Sequence, residues 1–142
     1  MIENNYDLIE HLKLIEQQVQ RMADNSFKIK NWAITIISGG LLYWLKGDVA
    51  KQDSHWLIGL ILLATCMFWW LDAYYLTLEK CYRELYLKAQ NGEESSYNLS
   101  IREFLNRSNI MCTAITSKSF THTYLLLLFF EIALFMYKYV KW

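Results

Sequence analysis

The sequence predicts an all-α membrane protein with an amphipathic amino-terminal helix, three transmembrane helices and a long second helix that projects into a cytoplasmic helical layer. Three stretches, at 27–45, 55–77 and 119–140, are apolar and edged by aromatic residues. A helix needs about 20 mostly apolar residues to cross the bilayer core. Hydrophobic residues make up 54% of the chain and aromatic residues 16%, and no proline interrupts a helix. The length fits one membrane domain over 1–142.

The amino-terminal helix is predicted over residues 5–24. Its apolar residues recur at alternating spacings of four and three, which is typical of a coiled-coil seam: Leu8, Leu12, Ile15, Val19 and Met22. About two heptads are too short for a stable isolated coiled coil. We therefore expect the seam to pack on the cytoplasmic helices of the same chain or on a neighbouring subunit, where it would hold a gate shut or mediate oligomerisation. The helix is expected to continue into the first span.

The first span, 27–45, carries a patch of small residues near its middle. Ser38, Gly39 and Gly40 either let another helix approach closely or mark a bend. A polar loop is predicted over 46–55, before the second span at 55–77.

The second helix is expected to run past the membrane boundary to a stop at Asn91–Gly92. The region 78–118 is then predicted to be a cytoplasmic helical hairpin. Ser100 and Glu103 have the spacing of a capping box, which would open a helix over about 101–115. The third span follows at 119–140.

Basic residues predict the orientation. With the amino terminus in the cytoplasm, ten of the 14 Lys and Arg residues lie inside and four outside. The positive-inside rule favours this arrangement. Aromatic belts are expected at both interfaces, with Trp44 among the outer residues and Tyr124 among the inner ones.

Glu131 is the most informative polar residue, because it lies near the middle of the third span, where a lone carboxylate is unfavourable. It either lines a water-filled cavity or a pore between subunits, where a ring of carboxylates favours cations, or it is protonated and joins helices through hydrogen bonds. We expect it to face a polar group such as Ser38, Thr65 or Tyr43, and not lipid.

Two weaker constellations lie near the inner boundary. Asp72 and His122 either form a proton-sensitive contact or reach headgroups and water independently. Arg102, Arg107 and Lys118 either bind a phosphate-rich ligand or anionic lipid, or belong to a solvated helix face.

An enzyme, a cofactor and a metal site are not expected. The chain has no nucleophile elbow, phosphate-binding loop or zinc-protease motif, and its three histidines fall in separate regions. Cys66, Cys81 and Cys112 match no zinc spacing and are expected to be buried hydrophobic residues.

Two stretches carry a resemblance to a known family. QQVQRMADNSFKIKNWAITIISG enters the first span, and FWWLDAYYLTLEKCYRELY leaves the second. They resemble signatures of a family of small bacterial multi-helix inner-membrane proteins, whose patterns are RMA-x-NSF-x-x-K-x-W and F-W-x-L-D-x-Y-(Y/F)-L-x-x-E-x-x-(Y/F)-R-x-L-Y. The matching residues include Arg21, Asn25, Lys30, Asp72, Glu79 and Arg83. The resemblance covers about half of the chain and does not extend past Gly92.

Small proteins of this type serve as membrane effectors in anti-phage defence, including Hailong-type systems with a nucleotidyltransferase-like partner. The resemblance therefore implies a bacterial inner-membrane effector with a cytoplasmic partner of that kind or a nucleotide or oligonucleotide ligand. We expect a homo-oligomeric channel or pore, surrounded by membrane lipids and gated from the cytoplasm. The alternative is a non-conducting anchor or accessory subunit that docks a soluble partner.

Overall fold

The computed structural model describes residues 2–46, 51–92, 97–106 and 118–140, and its regular elements in these ranges are all helices. They are α1 (Ile2–Lys46), α2 (Lys51–Gln90), α3 (Arg102–Leu105) and α4 (Lys118–Val140). The predicted all-α class is confirmed for this part of the chain. The described residues form two compact units: 2–27 with 73–106, and 28–72 with 118–140.

Helix α1 joins the predicted amino-terminal helix and first span without interruption. Its 45 residues contain no proline, and they extend about 67 Å at 1.5 Å per residue. The expected continuation of one segment into the other is confirmed. The helix is also unbroken at Ser38–Gly40, so the small residues do not end it.

Helix α2 begins earlier than predicted and ends where predicted. The polar residues Lys51–Ser54 were expected in a loop but form its first turn. Gly92 has φ +74°, and its N–H donates to the Ala89 carbonyl at 3.1 Å. A glycine in the left-handed region is a favourable helix stop because it has no Cβ to strain. The predicted stop at Asn91–Gly92 is therefore confirmed.

The core of the first unit forms where α1 packs on the carboxy-terminal half of α2 and on α3. Its buried members are Ile15, Cys81, Leu85, Ala89 and Phe104. Leu12 of α1 packs against this cluster. The seam was expected to pack either on helices of the same chain or on a neighbouring subunit. The structure shows that it packs on helices of the same chain.

A polar contact also ties residues 97–98 to α1. His11 is buried, and its Nε2–H donates to the Asn98 carbonyl at 3.1 Å. The Tyr97 hydroxyl donates to Glu10 Oε2 at 3.2 Å and to Asp7 Oδ1 at 3.4 Å. Partial desolvation, followed by the hydrogen bonds and charges of these two carboxylates, raises the pKa of Tyr97.

The predicted capping box is wrong. The residue before α3 is Ile101 and no side chain caps the helix, while Glu103 pairs with Lys88 at 3.1 Å. The Ser100 N–H donates to Asn98 Oδ1 at 3.0 Å, so the serine belongs to the preceding turn. Helix α3 ends at Leu105, and most of the predicted 101–115 helix lies outside the described residues.

The second unit contains three helices in alternating directions. Lys30 and Gly40 of α1 contact Asp72 and Ile61 of α2, so these helices are antiparallel. Contacts between Thr65 and Glu131, and between Phe68 and Tyr124, show that α4 is antiparallel to α2. Lys138 near the end of α4 donates to the Trp44 carbonyl near the end of α1 at 2.9 Å. Helix α2 is therefore antiparallel to both α1 and α4.

Gly40 lies where α1 and α2 approach closely. A Cβ built there would meet the Ile61 side chain at 3.2 Å, whereas one at Gly39 would meet nothing within 4 Å. The small-residue patch was expected either to let another helix approach closely or to mark a bend. The structure supports the close approach, which occurs at Gly40.

One helix among the described residues is long and apolar enough to cross a membrane. It is His55–Gln90 within α2, whose most apolar window has a mean hydropathy of 1.8 and is only 28% buried. The described part of the chain thus contains one candidate span, and the other two spans remain predictions.

Candidate functional site

An ion pair between α1 and α2 is the first polar contact of the second unit. Lys30 Nζ lies 3.1 Å from Asp72 Oδ2 and 3.3 Å from Oδ1. The Asp72 side chain is fully buried, while that of Lys30 is 24% exposed. A buried carboxylate needs such a partner because its hydration is lost. Both residues belong to the two stretches that resemble family signatures, so this ion pair joins those stretches in space.

Tyr124 of α4 completes this contact. Its side chain is buried, and its hydroxyl donates to the Phe68 carbonyl at 3.3 Å and also interacts with the Asp72 carboxylate. Its ring stacks on Trp69 at 6.3 Å between centroids. All three helices of the unit thus contribute a group to one polar cluster: Lys30, Asp72 and Tyr124.

Glu131 lies in the middle of α4 and is buried within a single chain, with 1% of its surface exposed. The Thr65 hydroxyl donates to Glu131 Oε1 at 2.5 Å. The expectation that Glu131 meets a polar side chain such as Thr65 is confirmed. Its burial inside one chain favours helix joining over pore lining as its role.

A groove of about 370 Å³ lies next to Glu131. It is lined by Ile58, Gly59 and Leu62 of α2 and by Glu131, Ile132 and Phe135 of α4, with His55 also contributing. Apart from Glu131 and His55 its lining is apolar. Glu131 Oε2 is buried and has no hydrogen-bond partner among the described residues.

The exposed face of α1 in the second unit carries a polar stripe. Asn31, Thr35 and Ser38 are exposed and follow at spacings of four and three residues, so they share one face. The buried residues Ala33 and Ile37 lie on the opposite face. The Thr35 hydroxyl donates to the Asn31 carbonyl at 2.9 Å, and the Ser38 hydroxyl donates to the Ile34 carbonyl. Such bonds to the preceding turn satisfy hydroxyl groups within their own helix.

The other site residues predicted from the sequence are not gathered into one site by the described contacts. His122 is exposed on α4, and its predicted contact with Asp72 stays a prediction. Arg102 is exposed on α3. The side chains of Arg107 and Lys118 lie outside the described residues, so the proposed basic ligand site is untested.

The predicted seam on α1 is buried to different degrees. Ile15 and Met22 are buried, whereas Leu8, Leu12 and Val19 are partly buried. Its part in oligomerisation stays a prediction, since the contacts that bury it come from its own chain.

Sequence reasoning missed several residues of the polar contacts. Lys30 pairs with Asp72, a contact that the sequence analysis does not predict. Tyr124 and Trp44 were placed in aromatic belts, but both are buried against neighbouring helices. The signal for the ion pair was present, because Lys30 and Asp72 are opposite charges near the same predicted boundary.

Among the described residues, no group of three or more His, Cys, Asp and Glu side chains could hold a metal ion. Comparison of the chain with protein families, with curated proteins and with solved structures finds no significant match.

Proposed function

We propose that this chain is a homo-oligomeric inner-membrane channel, gated from the cytoplasm, in which the exposed polar stripe of α1 lines a conduit between subunits. The observation that carries the proposal is the shared exposed face of Asn31, Thr35 and Ser38. Polar side chains within a membrane-spanning segment generally face a protein interior or water and not lipid. In the part of the chain that the structure describes, these three side chains are exposed, so a conduit along this face requires further copies.

The three-span arrangement is part of this proposal. Besides the candidate span in α2, helix α4 has 23 residues and contains the run LLLLFF. Twenty-three helical residues extend about 35 Å, enough for a bilayer core of about 30 Å. The alternating directions of α1, α2 and α4 are compatible with three successive crossings. The proposed orientation, with the amino terminus inside and the carboxy terminus outside, rests on the distribution of Lys and Arg residues.

Large apolar side chains are exposed on α1 and α2 of the second unit. Trp32 and Tyr43 of α1 and Met67 and Trp70 of α2 are each more than 60% exposed. A patch of this kind marks a membrane or protein contact. In the proposed assembly these side chains contact lipid or the next subunit, while the polar stripe faces the conduit.

Charge at the ends of the stripe gives the proposal an ion preference. Lys28 and Lys46 are exposed on the same side of α1 as Asn31, Thr35 and Ser38. Rings of lysine at the mouths of a pore favour anions. Glu131 is buried inside each chain, so the proposed conduit has no ring of carboxylates to favour cations. The proposal therefore gives the conduit a preference for anions, set by the lysine rings.

Cysteine substitution on α1 tests the conduit. In a background with Cys66, Cys81 and Cys112 replaced by alanine, Thr35→Cys and Ile36→Cys are reconstituted separately in liposomes. A water-soluble anionic thiol reagent is expected to block ion flux through Thr35→Cys and to leave Ile36→Cys conducting. Ile36 is the matched control because it is also exposed on α1 but lies beside the stripe.

The rival function is a non-conducting anchor that docks a soluble partner. It is favoured by one observation, that Asp72 and Glu131 are engaged by Lys30 and Thr65 within a single chain. If the purified protein produces no ion flux in liposomes, either with or without the thiol reagent, the result would support the anchor.

The proposed defence role rests on the resemblance of the two signature stretches. It predicts that expression together with a nucleotidyltransferase-like partner protects bacteria from phage. The test is plaque formation on cells that carry both genes, compared with cells that carry the Thr35→Lys variant.

A further inference from the structure

The second unit has a polar contact at each end, and the helices show how far apart these contacts lie. At one end, Lys30 pairs with the buried Asp72. At the other end, Lys138 donates to the Trp44 carbonyl at 2.9 Å, and its ammonium group lies 4.3 Å from the centre of the Trp44 ring. Trp44 follows Lys30 by 14 residues of α1, which is about 21 Å along the helix axis. In α4, Lys138 follows Tyr124, which interacts with Asp72, by the same 14 residues.

The two lysines are held at these levels by their partners. A free lysine at a membrane boundary extends its stem through hydrocarbon and places its ammonium group in water, which lengthens the usable span. The Lys30 ammonium is instead bound by Asp72, and the Lys138 ammonium is bound by the Trp44 carbonyl. Tilting of the helices in a bilayer would shorten the separation along the membrane normal. The distance of about 21 Å is therefore an upper value for the separation of the two polar levels.

The exposed tryptophans of α2 give an independent measure of the same length. Trp56 and Trp70 are both exposed and are 14 residues apart, again about 21 Å. Indole rings favour the boundary between hydrocarbon and water. Trp70 also lies two residues from Asp72, so it marks the same level as the ion pair. The exposed residues between the two tryptophans are all uncharged: Gly59, Leu60, Leu62, Leu63, Cys66 and Met67.

This apolar band is shorter than an average bilayer core, which is about 30 Å thick. Helix α4 is itself long enough to cross such a core, so the band is limited by the placement of polar and aromatic groups and not by helix length. A bilayer that is thicker than the apolar surface of a protein must become thinner beside it, which costs free energy for each ångström of mismatch.

We propose that the lipid-facing surface of the second unit fits a thin bilayer and selects phospholipids with short acyl chains, of about 14 carbons, over those with 18 carbons. The selected partner is the hydrocarbon layer itself, recognised by its thickness and not by a headgroup. The inference rests on the membrane insertion of the proposed function and does not depend on conduction.

The experiment uses the full chain in vesicles of phosphatidylcholines whose two monounsaturated chains differ in length, from 14 to 20 carbons. Each lipid competes with a dibrominated phosphatidylcholine, whose bromine atoms quench tryptophan fluorescence on contact. Trp56 and Trp70 are exposed, so their fluorescence reports which lipid lies against the protein. We expect the 14-carbon lipid to compete about three-fold better than the 18-carbon lipid, because it reduces the mismatch. Equal competition, or better competition by the longer chains, would overturn the proposal.

Lys138 provides a variant that lengthens the band. Lys138→Leu removes the fixed ammonium group and extends the apolar surface of α4, so the preference is expected to shift toward longer chains. Lys138→Arg keeps the charge and the donor and should retain the preference of the wild type. Lys13→Leu is the matched control, since it makes the same change at an exposed position of the first unit. Circular dichroism and elution volume verify that each variant is folded. An unchanged preference in folded Lys138→Leu would overturn the part assigned to this lysine.

Flotation of the vesicles separates this inference from the proposed function. A chain that does not float with the vesicles, and whose fluorescence is not quenched by the brominated lipid, would refute both the inference and the proposed membrane insertion. A chain that floats and is quenched but prefers 18-carbon lipids would refute the inference alone. A chain that prefers 14-carbon lipids and conducts no ions would support the inference and refute the conduit.

Discussion

Lys30 Nζ of α1 lies within 3.3 Å of both carboxylate oxygens of Asp72 of α2, and the aspartate side chain is fully buried. Both oxygens are engaged by one ammonium group, which fixes the register in which the two helices pack. Removing one member of a buried pair leaves the other charge without compensation. The pair should therefore contribute more to stability than an ion pair at the surface.

Lys30→Met is expected to lower the free energy of unfolding by about 3–5 kcal/mol, because it leaves Asp72 buried without its partner. Asp72→Asn combined with Lys30→Met should recover part of this loss, since no unpaired charge remains. Thermal unfolding in detergent, followed by circular dichroism, measures the effect.

The control is the exposed i,i+4 pair of Arg83 and Glu79, which are 2.7 Å apart. Arg83→Met should cost about 0.5 kcal/mol or less, as is usual for helix surface pairs. Equal losses for Lys30→Met and Arg83→Met would contradict a structural role for the buried pair.

Glu131 and Thr65 should respond differently to substitution. Glu131→Gln keeps a hydrogen-bonding group of the same size and is expected to change stability by less than about 1 kcal/mol. Thr65→Val removes the hydroxyl that donates to Oε1 and should cost about 1–3 kcal/mol. Thr35→Val is the control, because its hydroxyl is exposed and bonds only within its own turn. A larger loss for Glu131→Gln than for Thr65→Val would show that Glu131 is required in its charged form.

Ile15 anchors the core of the first unit, with none of its surface exposed. Ile15→Ala should cost about 2–5 kcal/mol because it leaves a cavity among the packed helices. Ile9 lies on the same helix and is 65% exposed, so Ile9→Ala should have an effect of less than about 0.5 kcal/mol. If Ile9→Ala instead reduces the size of the purified particle, the exposed side of α1 mediates oligomerisation.

Topology can be tested by labelling single cysteines from outside the cell in a background without the three native cysteines. An impermeant thiol reagent should label Lys51→Cys and should not label Leu99→Cys. The physical reason is the ten-to-four distribution of basic residues, which places residues 78–118 inside. The reverse labelling would contradict the proposed orientation.

Tyr97 gives a dependence on pH. Its pKa is raised in the folded chain, so the unfolded chain releases the phenol proton first as the pH increases. The stabilisation from its hydrogen bonds is then fully present below the unfolded pKa of about 10 and decreases above it. The stability difference between wild type and Tyr97→Phe, measured by denaturant unfolding, should therefore be constant near neutral pH and shrink in strong alkali. A difference that grows with pH would show that the phenolate is the favoured form.

Periodicity predicted much of the helical architecture, and pairing between helices was harder to predict. Gly92 marks the end of α2 because its backbone requirement is local and visible in the sequence. Ser100 and Glu103 match a local motif, yet Lys88 from another helix captures Glu103. That competition depends on tertiary packing, which spacing along the chain does not report.

The candidate site shows the same limit. Glu131 and its contact with Thr65 could be anticipated from depth along the helices, since both lie near the middle of their predicted spans. The contact of Tyr124 with Asp72 depends on helix rotation about its own axis, which an almost uniformly apolar sequence such as that of α4 does not specify. Helix rotation also decides which face of α1 is exposed, and so the polar stripe emerged only from the structure.

The hydroxyl groups of Thr35 and Ser38 already donate to carbonyls of their own helix. These two hydroxyl groups therefore do not need a hydrogen-bond acceptor from a neighbouring chain. In the proposed membrane setting, a newly made protomer would therefore enter the bilayer without waiting for its partners. Biogenesis would then separate into two steps, insertion of single chains followed by lateral encounter, and the abundance of the chain in the membrane would control when assemblies form.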